Sequence, residues 1–306
     1  NYSTMKINIK NIHELLEKIR SGDRRATARL ISACEDSAGF LREVSSYIYP
    51  LTGNITYAGI AGSFGVGKST LIDGLIKSAR KNNCRVGVVA FDPESPFSGG
   101  AILGDRIRMK HHYTDEGVFI RSVPSRTESV TPEVMVISRI LELWGADIIF
   151  IETAGLGQTQ TEISSVSDFV VMAVQPQAGD EIQLMKAGIM EIADIIAVTK
   201  CDILDPYSVK SALMGAIGHK KVKIFETGVN LPETYDRLFE ELKSFKVEYK
   251  RENLRNTLEW LIMKKVKDEC LHKYLNDKMI DEMSLKNSDP FKIADEMFHR
   301  IFNKKI

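Results

Sequence analysis

Residues 62–69 read Gly62-Ser63-Phe64-Gly65-Val66-Gly67-Lys68-Ser69, which fits the pattern GxxxxGK[ST]. The apolar run Ile55–Ile60 precedes this loop and a helical pattern starts near Thr70, so the loop joins a strand to a helix. Glycines at Gly62, Gly65 and Gly67 let the chain wrap. Backbone N–H groups of the loop, Val66 included, and of the helix start at Lys68, Ser69 and Thr70 then face an anion. In that setting the Lys68 ammonium reaches the β- and γ-phosphates and the Ser69 hydroxyl is a ligand for Mg2+. A chance match in a chain of this length is on the order of 1%. The residues therefore predict a nucleoside triphosphate site.

Four more polar clusters follow apolar runs. Glu152 ends Phe150-Ile151 and leads into Thr153-Ala154-Gly155. A carboxylate at a strand end beside a phosphate loop suits holding Mg2+ or its water, and Gly155 can bring a backbone N–H to the γ-phosphate. Thr199-Lys200-Cys201-Asp202 follows Ile195–Val198. P-loop GTPases place [NT]KxD there, with the aspartate accepting from guanine N1 and the N2 amino group. Adenine lacks that donor pair, and an unpaired buried carboxylate penalises it. Glu226-Thr227-Gly228, after Val222–Phe225, falls where such proteins have a loop that closes over the base, and Val229 beside it is taken with Thr227 and Gly228 as nucleotide-binding. Lastly, Asp92 and Asp105 flank the glycine-rich stretch Gly99 to Gly104. That spacing reads equally as a mobile metal-binding switch or as a solvated loop.

The elements that must position these groups are legible as a change of texture. Up to about residue 50, apolar residues recur at helical spacing: Ile12, Leu15, Leu16 and Ile19, then Leu30 and Ile31, then Phe40, Leu41, Val44 and Ile48. From 51 to 248, short apolar runs alternate with amphipathic stretches: Ile55–Ile60, Val86–Ala90, Val118–Val123, Ile148–Ile151, Phe169–Val174, Ile195–Val198 and Val222–Phe225. Nearly continuous apolar strands separated by helices predict a mainly parallel sheet covered on both faces, an α/β fold with ligands beyond the strands' carboxyl ends. From 249 to 306 the strands stop. A helical stripe runs through Leu254, Leu258, Leu261, Ile262, Val266, Leu271, Tyr274 and Leu275, and a second through Phe291, Ala294, Met297 and Ile301. This C-terminal arm reads as extra packing or as an oligomerisation element.

Composition narrows the function classes. With 41 basic and 41 acidic residues the formal charge is zero, which argues against a protein that holds nucleic acid by bulk charge. The four cysteines Cys34, Cys84, Cys201 and Cys270 lie too far apart for a zinc module or a disulfide framework and read as buried or free thiols. No apolar run approaches the roughly 20 residues a membrane helix needs, and no charged-then-apolar leader opens the chain, so a cytoplasmic protein without a membrane segment is expected. The adjacent pair His111-His112 has poor metal spacing for a helix and reads as solvated surface. Lys264, Lys265 and Lys267 read as an exposed helix face. No DxHxxG sequence occurs, so direct cobalamin binding has no motif.

Together the phosphate loop, FDPESPFSGGAILGDRIRM, IETAGLGQTQTEI, AGDEIQLMKAGIMEIAD and TKCD resemble the MeaB/ArgK family of P-loop GTPases, over essentially the whole chain. The resemblance implies a P-loop NTPase fold with an N-terminal helical extension and a C-terminal dimerisation arm. It implies a homodimeric, Mg2+-dependent GTPase that binds GTP and GDP. Such a protein chaperones an adenosylcobalamin-dependent methylmalonyl-CoA mutase, gating cofactor loading and protecting the enzyme. By position, Lys68 and Ser69 hold phosphate and Mg2+, Asp92 and Asp105 are switch I acids, and Glu152 supports metal and water. Gly155 and Gln158 fall in switch II, Gln183 and Lys186 in a further switch that relays nucleotide state to the mutase, and Asp202 reads guanine. Departures from the family pattern are Phe64 for Pro, Thr199 for Asn, Ala187 for a second lysine, Ser125 to Ser129 for a glycine-rich segment, and Thr227-Gly228 for Ser-Ala. Two competing functions remain at this stage. One is a P-loop kinase, as older transport-system labels for the family suggest; the other is a nucleotide-binding module with little turnover.

Overall fold

The computed structural model describes residues 11–93, 109–125, 132–153, 162–176, 192–217, 222–244 and 250–266. Among these, seven strands form one sheet: β1 (Thr56–Ala61), β2 (Val86–Pro93), β3 (Val118–Ser125), β4 (Ile148–Glu152), β5 (Phe169–Val174), β6 (Ile195–Val198) and β7 (Lys223–Glu226). Their spatial order is β3-β2-β4-β1-β5-β6-β7, and every neighbouring pair is parallel. Each of the seven apolar runs in the sequence becomes a strand. β1 and β4 to β6 are buried along nearly their whole length, which is why they read as unbroken apolar runs. β2 and β3 extend further than their apolar cores predict, through Pro93 and Ser125, because they continue to pair with each other beyond the sheet's apolar layer. Asp92 therefore sits on a strand.

Side chains alternate across the sheet. Ala58, Ile60, Val86, Val88, Ile148, Phe150, Val171 and Ala197 face a core built with helices α4 (Lys68–Lys81) and, in chain order, α7 (Pro232–Ser244), through Ile72, Leu75, Ile76, Tyr235, Leu238 and Phe239. Burying each large aliphatic side chain contributes about 1.5–3 kcal/mol before entropy is counted. Gly74 on α4 lies under the Tyr235 ring, and a Cβ there would sit 2.4 Å from a ring carbon. The small residue lets α4 and α7 approach.

The opposite face is covered by α5 (Pro132–Leu143), which packs on β2, β3 and β4. Three N-terminal helices, α1 (Ile12–Arg20), α2 (Arg24–Asp36) and α3 (Ala38–Ile48), pack in turn on α5. Asp23 caps α2 by accepting from the Arg25 and Ala26 N–H groups at 2.8 and 3.0 Å. Polar ties reinforce this layer: the Trp144 indole donates to Gly22 O at 3.2 Å, and Arg121 pairs with Glu35. Glu142 on α5 accepts from the Gly53 and Asn54 N–H groups and from the Tyr57 hydroxyl, fixing the chain where it enters β1. The remaining helices are α6 (Tyr207–Ile217), which follows β6, and α8 (Lys250–Lys265). The chain divides into two compact units, residues 1–253 and 254–306. On α8, Leu258, Ile262 and Met263 are exposed. The rest of the C-terminal stripe, from residue 267 onward, lies outside the described residues. No helix among the described residues is long and apolar enough to cross a membrane.

Candidate functional site

Because all strands are parallel, the ends of β1, β4, β6 and β7 lie at one edge of the sheet, and the polar clusters gather there. The loop after β1 needs its glycines. Gly62, Gly65 and Gly67 have φ of 145°, 76° and 103°, in the region that side chains disfavour. A Cβ on Gly62 would also meet Ala173 O of β5 at 2.6 Å. Gly67 is the N-cap of α4 and offers no side chain to the helix start, the end of a helix that suits an anion. Lys68 is buried, and its ammonium donates to Gly62 O at 2.9 Å and Ser63 O at 3.0 Å, folding back over the loop. Val66 is buried and anchors the loop, whereas Phe64 points outward and is 80% exposed.

β4 lies directly beside β1, in a register that pairs Ile60 with Glu152. Thr153 N–H donates to Ile60 O at 3.2 Å, joining the two strand ends. Glu152 is buried, and its Oε1 accepts from the Ser69 hydroxyl at 2.8 Å. A helix-start hydroxyl and a buried strand-end carboxylate in contact supply hard oxygen donors at the phosphate loop, the set that suits Mg2+. On the other flank of β4, Asp92 stands on β2 two residues beyond Ala90, which is paired with Glu152.

β6 is reached from β1 across β5. The Thr199 hydroxyl, at the end of β6, lies 2.6 Å from Val66 O of the phosphate loop and 3.1 Å from Val174 O. It carries one proton, and the shorter distance assigns the donation to Val66. Lys200 takes a left-handed φ of 58° and sends its ammonium to Gly65 O at 3.0 Å and to Gln175 Oε1 at 2.7 Å. Both residues therefore brace the phosphate loop. Asp202 is half-buried, and its Oδ2 accepts from the Asn230 N–H at 3.1 Å. Cys201 N–H donates to Thr227 O, and Thr227 N–H to Val198 O, linking this loop to the one after β7. Gly228 has no room for a side chain, because a Cβ would lie 2.6 Å from Asp202 Oδ1. Val229 is exposed beside it.

The structure thus brings together Gly62, Gly65, Val66, Gly67, Lys68, Ser69, Thr70, Glu152, Thr199, Lys200, Asp202, Thr227, Gly228 and Val229 along one edge. Asp105, Gly155, Gln158, Gln183 and Lys186 lie outside the described residues. Sequence reasoning missed Gln175 and Asn230. Gln175 directly follows β5, so extending the strand-end rule to every strand would have found it; Asn230 acts through its backbone and leaves no side-chain signal. The reading of His111-His112 as solvated surface is corrected for His112. It is 6% exposed, and its Nε2 lies 2.9 Å from Asp73 Oδ1 on α4.

A family model for the methylmalonyl Co-A mutase-associated GTPase MeaB matches residues 28–227. A protein of Pyrococcus abyssi, provisionally named a GTPase, is 50% identical over 196 residues, which is 62% of this chain and 60% of that protein. A Pyrococcus horikoshii protein with the same provisional name is 38% identical over 96% of this chain and 99% of its own length. A solved structure described as LAO/AO transport system kinase matches with a TM-score of 0.73 at 21% identity, covering 96% of this chain and 99% of that one. That likeness bears on the fold, which is the α/β P-loop NTPase fold expected from the sequence.

Proposed function

This chain belongs to the family of MeaB, the methylmalonyl Co-A mutase-associated GTPase, and from that premise we propose that it binds and hydrolyses GTP at the carboxyl edge of its sheet. The observation that carries the reading is the convergence on one loop: Ser69 meets Glu152 at 2.8 Å while Thr199 holds Val66 O at 2.6 Å. The first contact belongs to phosphate and metal, the second to the base-reading segment. A triphosphate takes over the Lys68 ammonium from the loop carbonyls and meets the N–H groups at the start of α4. Ser69 and Glu152 would hold Mg2+, which would offset charge on the phosphate oxygens. Asp202 accepts from guanine N1 and N2, and the cramped Gly228 keeps the loop after β7 close to that carboxylate. Asp92, Asp105, Gly155 and Gln158 act as switch groups, and Lys186 relays nucleotide state.

The partner we assign is an adenosylcobalamin-dependent acyl-CoA mutase of the methylmalonyl-CoA type. The protein serves it as a homodimeric chaperone that gates cofactor loading and protects the enzyme. The family description supports the partner class, and the exposed Leu258, Ile262 and Met263 of α8 support dimerisation through the arm. Phosphate release measured with and without candidate mutases tests this reading. Binding and a change in GTP turnover are expected, with Lys186→Ala damaging stimulated hydrolysis more than basal hydrolysis, since coupling between the two ligands is reciprocal. A protein that binds no such mutase in any nucleotide state contradicts the chaperone assignment and leaves the hydrolase assignment standing.

A further inference from the structure

Asp73 lies on α4 one turn beyond Ser69, and the 3-10 turn Lys110–His112 is held against it. Asp73 Oδ1 is 2.6 Å from His111 Nε2 and 2.9 Å from His112 Nε2. One donor atom from each of the three residues falls within 4.8 Å of the other two. The imidazole rings are 4.2 Å apart and inclined at 47°, so their Nε2 atoms approach the oxygen from different directions. We propose that Asp73, His111 and His112 form a site for a divalent transition metal of the Zn2+ class, with water completing its coordination.

The donor set and its surroundings both favour this assignment. Two imidazole nitrogens and one carboxylate oxygen select zinc-like ions over Mg2+, which prefers oxygen alone. Donors around tetrahedral Zn2+ stand about 3.4 Å apart for bonds near 2.1 Å. The two carboxylate–imidazole separations therefore need to open by less than about 1 Å to admit the ion. Lys77 Nζ lies 2.7 Å from Asp73 Oδ2, which turns Oδ1 toward the histidines as a supporting partner would. Lys77 is more than half exposed, so its ammonium can swing away from an incoming cation. His112 is buried and fixed in place, whereas His111 is exposed and leaves an open side for water. An ion here pins the turn that follows residues 94–108 to the helix that begins at Lys68 and Ser69.

The test is titration of untagged, metal-stripped protein, without nucleotide and in excess Mg2+, with Zn2+ by calorimetry and with Co2+ by visible absorption. One ion per chain is expected. Asp73→Asn and His111→Ala should each weaken binding by more than the roughly 10–100-fold that loss of a supporting partner costs, and Ser69→Ala should leave it unchanged. His111 is exposed, so its replacement does not threaten the fold, and circular dichroism of each variant checks this. Absence of binding in excess Mg2+, binding indifferent to both Asp73→Asn and His111→Ala, or binding lost in Ser69→Ala overturns the proposal.

Discussion

At the scale of single residues, Thr199 stands where the family usually has asparagine, yet its hydroxyl holds the phosphate loop through Val66 O at 2.6 Å. Thr199→Val keeps the shape and removes the donor, leaving a buried carbonyl without that partner. The cost of such a loss is about 1–3 kcal/mol, so GDP affinity should fall roughly tenfold or more by calorimetry, while Thr199→Asn should retain most of it. Asp202→Asn acts on selectivity instead. Guanine offers two donors to the carboxylate, and an amide can accept only on one side, so the preference for GDP over ADP should fall by roughly 10–100-fold in a competition assay. An unchanged preference would mean that Asp202 does not read the base. Cys34 gives a third residue-level test. Burial pushes its thiol up to about 12, with the nearby Glu35 charge adding to the shift. The reactive thiolate is therefore scarce at neutral pH. Native protein should show no alkylation of Cys34 by mass spectrometry until it is unfolded.

At the scale of elements, the α4–α7 contact sets a direct contest between two effects. Alanine at position 74 gains about 1 kcal/mol of helix propensity over glycine. It also drives a methyl into the Tyr235 ring, at 2.4 to 2.6 Å from three ring carbons. Overpacking of that kind costs about 1–3 kcal/mol, so Gly74→Ala should lower the denaturant midpoint. A raised midpoint would show that the helices separate freely. The strands were legible in the sequence because a strand covered on both faces is apolar at every position, as Phe169–Val174 and Ile195–Val198 are. The phosphate loop was legible because Gly62, Gly65 and Gly67 are dictated by backbone angles, which leave a mark on residue type. What the sequence did not carry were contacts between distant segments. Lys200 meeting Gln175 and His112 meeting Asp73 depend on which strand ends and helices the topology sets side by side. The extra length of β2 and β3 was hidden for a related reason, since Asp92 and Pro93 carry no strand propensity yet stay in register with Pro124 and Ser125.

At the scale of the whole molecule, one parallel sheet sets the phosphate, metal and base-reading groups on a single edge, and the N-terminal helices stack on the layer covering the opposite face from α4 and α7. The family assignment and the geometry meet in one claim, that this edge turns over GTP. The most direct measurement is single-turnover phosphate release from GTP and from ATP, with and without Mg2+, for the native protein and for Lys68→Ala and Glu152→Ala. The account predicts Mg2+-dependent release from GTP that exceeds release from ATP. Triphosphate binding should be lost in Lys68→Ala, and hydrolysis slowed with binding largely kept in Glu152→Ala. Equal release from ATP and GTP, or undiminished release in Lys68→Ala, would contradict it.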